Sequence, residues 1–362
     1  GTSTNMNANE VIANVASKKS KSIINANDDV NMSQSSNDVI PTAICISALI
    51  DMHRILLPNM DELIKAIDVK MKKVKGNTKT GRTHLMDAMP IDFAQELSGW
   101  KAQLESAKKT LIAATSRMNE LPQGGTAIGT GINTHKDFSK NFCEEVNKIA
   151  KLKTKPAKNF FQGLSSVDNA AELSSALKNL STILMKISND LRWMNSGPLT
   201  GLGEIELEAL QPGSSIMPGK VNPVVPEAVA MACADVIGND VSITVASQSG
   251  NFQLNVMLPL VAYNLLKSIN LLGNAMPLLS NKAIKTFKIN AKNINESLSK
   301  NPILVTALNR KIGYGKAALI AKKAYKENKA IIDVASEETG ISKAELKKLL
   351  DPSKLTKGGL SG

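Results

Sequence analysis

The chain has 362 residues, 43% hydrophobic and 21% charged, enough apolar content for a large packed core and too much for a disordered segment. Aromatics make up only 3%, so the apolar content is aliphatic, a mix that favours helix bundles over β-sandwiches. The net charge of +12 invites a nucleic-acid reading, but the lysines are spread over helical faces without aromatic interleaving, so no nucleic-acid partner is expected.

Cys45, Cys143 and Cys233 lie far apart with no CxxC pair. That spacing argues against a metal cluster or a disulfide framework and fits a reducing compartment, so a cytoplasmic location is expected. No apolar run approaches the ~20 residues that cross a bilayer. The most apolar stretch, Val256 to Leu272, contains Pro259, Asn264 and Lys267 and reads as a buried helix, with no membrane partner.

The chain opens with Gly1-Thr2-Ser3-Thr4-Asn5-Met6-Asn7, which reads as the middle of a motif. Ser17 to Asn31 is polar and rich in Lys, Asn and Asp, a predicted loop. Gln34-Ser35-Ser36-Asn37-Asp38 then precedes an apolar-periodic run to about Leu57. Ser35 to Asp38 supply helix N-cap chemistry. Alternatively, the exposed N–H groups and hydroxyls of this helix start hold a carboxylate. The densest basic cluster runs from Lys65 through Lys70, Lys72, Lys73, Lys75 and Lys79 to Arg82. It reads as a solvated face or, second, as a field that attracts a small anion.

From Phe93 the apolar positions are Phe93, Leu97, Trp100, Leu104, Ala107, Leu111, Ala114, Met118 and Leu121. This unbroken alternation of four and three predicts a long helix packed lengthwise against others. Gly124 to Gly131 ends it as a glycine-rich turn, and no Lys-Ser/Thr follows to make it a phosphate loop. A second seam runs Leu173, Leu177, Leu180, Leu184, Ile187, Leu191, Met194. With the apolar runs around Ala228–Val245 and Val256–Leu272, an all-α bundle of very long helices is predicted. Helices of this length exceed one domain core, so a homo-oligomer follows as a hypothesis. From about Asn281 the segments shorten and turn Lys/Asn-rich, which suggests a small helical C-terminal domain.

Between the second seam and the run at Ala228 lies Gly213-Ser214-Ser215-Ile216-Met217-Pro218-Gly219-Lys220-Val221-Asn222-Pro223. Its glycines and prolines forbid a regular helix or strand, so it is a loop of defined shape between rigid rods. A fixed cation, an amide and two hydroxyls crowd into it with almost no apolar residue to explain them as core. Glu227, the only acid between Glu208 and Asp235, follows Pro226 at an apparent helix start, where a first-turn carboxylate is favoured by the helix dipole. Of the three histidines, His53 beside Arg54 reads as a surface residue and His135 as structural.

The eleven-residue loop resembles the signature of the fumarase/aspartase superfamily, and its Pro218-Gly219-Lys220 version looks like class II fumarate hydratase. The opening GT-x-TNMN element, Ser35-Ser36-Asn37, Gly81-Arg82-Thr83-His84-Leu85-Met86-Asp87-Ala88 and the stretches Leu304–Asn309 and Ile312-Gly313-Tyr314 resemble the same family, so the likeness covers essentially the whole chain. It implies a long-helix bundle over 35–280 with the loop at 213–223, a small helical domain over 281–362, and residues 1–34 as the remnant of a truncated N-terminal domain. The implied reaction is reversible anti addition of water to fumarate, giving (S)-malate; the sequence shows no metal-ligand cluster and no dinucleotide fingerprint, so no cofactor is expected.

Removing a proton from carbon beside a carboxylate makes a dianionic aci-carboxylate, so the site needs a base and fixed positive charge or donors. By resemblance the base is Ser214, with Lys220 supplying charge, Asn222 a donor and Ser215 a carboxylate contact. The resemblance assigns water handling to His84, oriented by Glu227. It places Thr2, Ser35, Ser36, Asn37 and Thr83 against substrate and brings the three regions together from different subunits of a homotetramer. Aspartases carry glutamine at the position of His84 and alanine at that of Gly219, so both choices here favour water over ammonia. The family's secondary dicarboxylate site, HPND, reads Asn25-Ala26-Asn27-Asp28, with Ser22 where an arginine often stands, which puts a site at Asn25, Asn27 and Asp28 in doubt. Asn25 is also the aspartase choice, so aspartate ammonia-lyase is the nearest rival. A catalytically silent relative is the other, and the joint presence of Ser214, His84, Lys220 and Glu227 argues against it.

Overall fold

The computed structural model describes residues 1–359. Helix α1 (Thr2–Ser20) is followed by α2 (Ser36–Asp51) and α3 (Leu57–Val74), the last two joined through a π-helical turn at Met52–Leu56. A hairpin of β1 (Thr78–Thr83) and β2 (Met86–Asp92) leads into α4 (Phe93–Arg117). Then come β3 (Glu120–Leu121), α5 (Phe138–Ala150), β4 (Lys155–Pro156), α6 (Phe160–Ser165) and α7 (Asp168–Met194). Next are β5 (Ile205–Glu206), α8 (Val224–Ser247), β6 (Gly250–Asn251), β7 (Leu254–Asn255), α9 (Leu258–Leu279) and β8 (Lys288–Ile289). Shorter helices close the chain: α10 (Ala291–Ser299), α11 (Asn309–Ile312), α12 (Tyr314–Glu327), α13 (Ile331–Thr339), α14 (Lys343–Leu349) and α15 (Pro352–Leu355). Apart from the β1–β2 hairpin, the strands are two-residue ladders, and the fold is the expected all-α bundle.

Both heptad-like seams are buried, but α4 ends at Arg117, short of the predicted helix, so Met118 lies in the turn that follows and Leu121 in β3. Every residue from Phe93 through Leu121 in the first is at most 2% exposed, and every one in the second at most 3%. Burying such a stripe stabilises each helix by ~1.5–3 kcal/mol per large side chain, far more than propensity alone supplies.

Two compact units make up the chain. One comprises 1–63, 104–186 and 228–278; its core joins Leu104, Leu111, Leu177, Leu184, Val236 and Leu265, all essentially inaccessible. Within it the buried carboxylate of Asp240 accepts from Ser174 Oγ at 2.8 Å and pairs with Lys178 Nζ. The other comprises 64–103, 187–227 and 279 onward. Its C-terminal helices close over a cluster that includes Leu308, Ile320, Val334 and Leu346.

Several details depart from the sequence reading. The expected loop from Ser17 is helical to Ser20, and Lys21, with φ at 58°, ends the helix. Ala26–Val30 forms a π-helical turn. Two helical stretches, Ser36–Val74 and Val224–Ser247, are long and apolar enough by length and composition to cross a membrane, where the sequence reading found none. The basic cluster is not a uniformly solvated face. Lys79 is 3% and Lys70 is 7% exposed. Lys70 Nζ donates to the carbonyls of Phe287 at 2.7 Å and Lys285 at 3.2 Å, and lies 4.0 Å from the Phe287 ring centroid. Burial pushes its pKa down.

Candidate active site

The loop between β5 and α8 is closed by its own backbone. Gly213 N donates to Lys220 O at 2.7 Å, and Asn222 Nδ2 donates to Gly213 O at 3.0 Å. A Cβ at Gly213 would sit 2.8 Å from both Asn222 Oδ1 and Lys220 O, so only glycine permits this closure. Inside it, Ser214 Oγ accepts from the backbone N–H groups of Ile216 (3.2 Å) and Met217 (3.1 Å). Two amides aimed at one oxygen favour its charged form over the neutral hydroxyl. Ser214 is half-buried, whereas Ser215 and Lys220 are exposed, and Lys220 makes no ion pair among the described residues. Asn222 spends its amide on the loop itself. Glu227 lies half-buried in the first turn of α8, its N–H bonded to Pro223 O at 3.2 Å.

His84 sits at the tip of the β1–β2 hairpin. Thr83 pairs with Met86, leaving His84 and Leu85 as a two-residue turn with φ of 55° and 62°. Positive φ at both positions is the type I′ geometry that matches strand twist, normally given to Asn or Gly. Holding histidine and leucine there costs on the order of 1 kcal/mol each. Thr83 through Asp87 are exposed. Toward the base of the hairpin, Lys79 Nζ lies 2.7 Å from Glu96 Oε2 and 2.7 Å from Glu204 Oε2, while Arg82 Nη1 lies 2.6 Å from Glu204 Oε1.

In the other unit, Ser35 caps α2. Its Oγ accepts from Asn37 N at 3.2 Å while Asp38 Oδ1 accepts from Ser35 N at 2.9 Å, a complete capping box. Ser36 Oγ accepts from Asn5 Nδ2 at 3.0 Å, and Asn37 Nδ2 donates to Ala127 O at 2.8 Å. Asp38, fully buried, accepts with its second oxygen from Gly124 N and Thr126 N, both at 2.9 Å. Burial pushes its carboxyl up, against the pull of those backbone donors. The glycine-rich turn is thereby tied to the helix start. Thr2, the first residue of α1, is exposed. Asn25 Oδ1 accepts from Asn27 N (2.8 Å) and Asp28 N (3.1 Å), so the residues read as a secondary site form an exposed, self-capped turn.

The predicted residues thus fall into two groups. Thr83, His84, Ser214, Ser215, Lys220, Asn222 and Glu227 belong to one unit, and Thr2 with Ser35, Ser36 and Asn37 to the other. Among the described residues, no hydrogen bond or ion pair joins His84 to Ser214, Lys220 or Glu227. His53 is exposed, and His135 Nδ1 accepts from Asp137 N at 3.2 Å, a local turn contact. Sequence reasoning passed over Asn5 and Glu204, whose partners lie far away in the chain; only the burial of a polar residue beside a motif could have signalled them.

Residues 1–238 match the family described as Lyase, and residues 304–357 the one described as Fumarase C C-terminus. The chain is 57% identical over 360 residues to a Pseudomonas aeruginosa protein named fumarate hydratase class II 2, covering 99% of this chain and 79% of the relative. It is 55% identical to fumarate hydratase class II of Xylella fastidiosa, covering 99% and 76%. Among solved structures, a class II fumarase from Schistosoma mansoni superposes with a TM-score of 0.95 at 35% identity, over 98% of this chain and 79% of that one.

Proposed function

This chain belongs to the class II fumarate hydratase family of lyases, and on that premise we propose that it interconverts fumarate and (S)-malate by anti addition of water. The observation that carries the proposal is the pair of backbone N–H groups on Ser214 Oγ, at 3.2 and 3.1 Å. In the malate-to-fumarate direction, Ser214 takes the proton from the carbon beside one carboxylate. The resulting aci-carboxylate carries two negative charges, which exposed Lys220 and the loop amides offset. Ser215 contacts a substrate carboxylate. Asn222 contributes by holding the loop closed, and its contact with substrate is part of the same proposal.

The hydroxyl leaves as water with a proton from His84, oriented by Glu227. Ser35, Ser36 and Asn37 anchor a carboxylate at the start of α2, where the helix dipole favours an anion. Thr2 and Thr83 complete the substrate contacts. The three regions come from different subunits of a homotetramer. What supports association is α8, apolar on two opposite faces: Val229, Cys233 and Val236 are buried, while Met231 (68% exposed), Val241 (59%) and Val245 (52%) share the other. The self-capped turn at Asn25, Asn27 and Asp28 gives no reason to assign it a dicarboxylate.

Ultraviolet absorbance followed with fumarate, malate and aspartate in parallel tests the reading. Malate and fumarate should interconvert and aspartate should not react. Ammonia release from aspartate would transfer the assignment to the aspartase branch.

A further inference from the structure

Of the charged groups in the chain, Glu204 is among the most buried, at 4% exposed, and both its oxygens are engaged. Its main chain is pinned: N donates to Met194 O at 2.8 Å and O accepts from Asn290 N at 2.9 Å. The carboxylate therefore projects from a fixed point. It reaches the hairpin that carries His84, taking Lys79 with Oε2 and Arg82 with Oε1. Residues three apart on a regular strand point to opposite faces. Here the ladder is irregular between Thr80 and Arg82, where a Cβ on Gly81 would lie 2.6 Å from Met89 O, and the two cations converge on one acid. Beyond Arg82 the tip is exposed.

Such a cluster is hard to justify by stability, since desolvating four charges consumes most of what their attraction returns. Its geometric consequence is plainer. We infer that Glu204 is a positioning residue for His84: by gripping β1 on both sides of the irregularity it fixes the direction in which the hairpin tip presents the imidazole. This rests on His84 being the group that handles water. Glu204 also begins the segment that runs through β5 to the Ser214 loop, so one carboxylate sets the origin of both reactive elements in the chain.

Malate labelled with oxygen-18 in its hydroxyl, incubated in heavy water, separates this role from a merely structural one. Proton removal by Ser214 followed by return of a deuteron exchanges the carbon-bound hydrogen and leaves the hydroxyl in place. Loss of the label requires the hydroxyl to depart as water, with a proton from His84, and unlabelled water to add back. Glu204→Gln should lower label loss relative to deuterium uptake by at least ~10-fold, because a displaced reacting group is penalised steeply. Arg82→Gln, which leaves the Lys79–Glu204–Glu96 pairs in place, should shift the ratio in the same direction and covers the case in which Glu204→Gln does not fold. The core variant Leu177→Ala should leave the ratio unchanged. If the variants keep the ratio of the unmodified chain, or lose both exchanges in proportion, the inference is overturned. An unmodified chain that exchanges neither atom overturns the proposed function and this inference with it.

Discussion

The hydroxyl oxygen of Ser214 lies 3.1 Å from the backbone nitrogen of Met217, and the neighbouring amide of Ile216 points at the same oxygen from 3.2 Å. A serine is a poor base because its alkoxide is unstable, and donors fixed before the reaction begins are the means of stabilising that charge. The same two bonds shape the loop, so the chemistry and the local fold share one device.

Gly213→Ala tests whether that shape matters. The added methyl would meet the Lys220 carbonyl and Asn222 Oδ1 at 2.8 Å, and the loop would have to open. Turnover should fall by about 10- to 100-fold. Thermal stability should change little, because most of the loop is exposed. Assay and melting curve on the same preparation check both halves.

His84→Asn separates folding from chemistry at the hairpin tip. Asparagine tolerates positive φ better than histidine, so the turn with φ of 55° at this residue should be as stable or slightly more so. Turnover should nevertheless drop at least ~10²-fold as the water-handling group is lost. Steady-state kinetics and thermal unfolding should therefore move in different directions.

Asp68 gives the pH dependence. Its carboxylate accepts from Lys101 Nζ at 2.6 Å and pairs with Lys72 Nζ at 2.9 Å, which together pull its pKa down to about 2. A depressed acid adds stability above its unfolded value, ~3.9, and loses it as pH falls toward the folded value. Asp68→Asn should be less stable than the unmodified chain at pH 6, and the gap should close by about pH 2. Denaturant unfolding across that range, at low salt, reads it directly.

Leu177→Ala measures the second seam. The side chain is completely buried in α7, and its truncation should destabilise the fold by ~2–5 kcal/mol in denaturant unfolding. A loss under 1 kcal/mol would mean that the seam is not tightly packed.

The long helices were legible in the sequence because their signal is local. A 4-3 alternation from Phe93 specifies one buried stripe whatever lies opposite, and each of its residues to Leu121 is buried, although the helix itself stops at Arg117. The hairpin at Thr78–Asp92 was not legible. Its buried positions include Lys79 and Thr80, and Lys79 is made tolerable by Glu204, more than a hundred residues away. No window of sequence contains that pair, so the lysines read as solvated. The candidate site divides along the same line. The closed loop around Ser214 follows from its own glycines and prolines. The reading of Ser35 to Asp38 as cap chemistry also holds, and the box they form is complete. The direction of His84 depends instead on a tertiary clamp, which no spacing announces.

Turnover of Ser214→Ala with malate, measured on a protein whose oligomeric state and melting temperature match the unmodified chain, tests the central claim most directly. A loss of at least ~10²-fold is expected if the doubly hydrogen-bonded oxygen takes the proton. Near-unmodified turnover in that variant would mean that another group is the base, and that the two amides serve the loop alone.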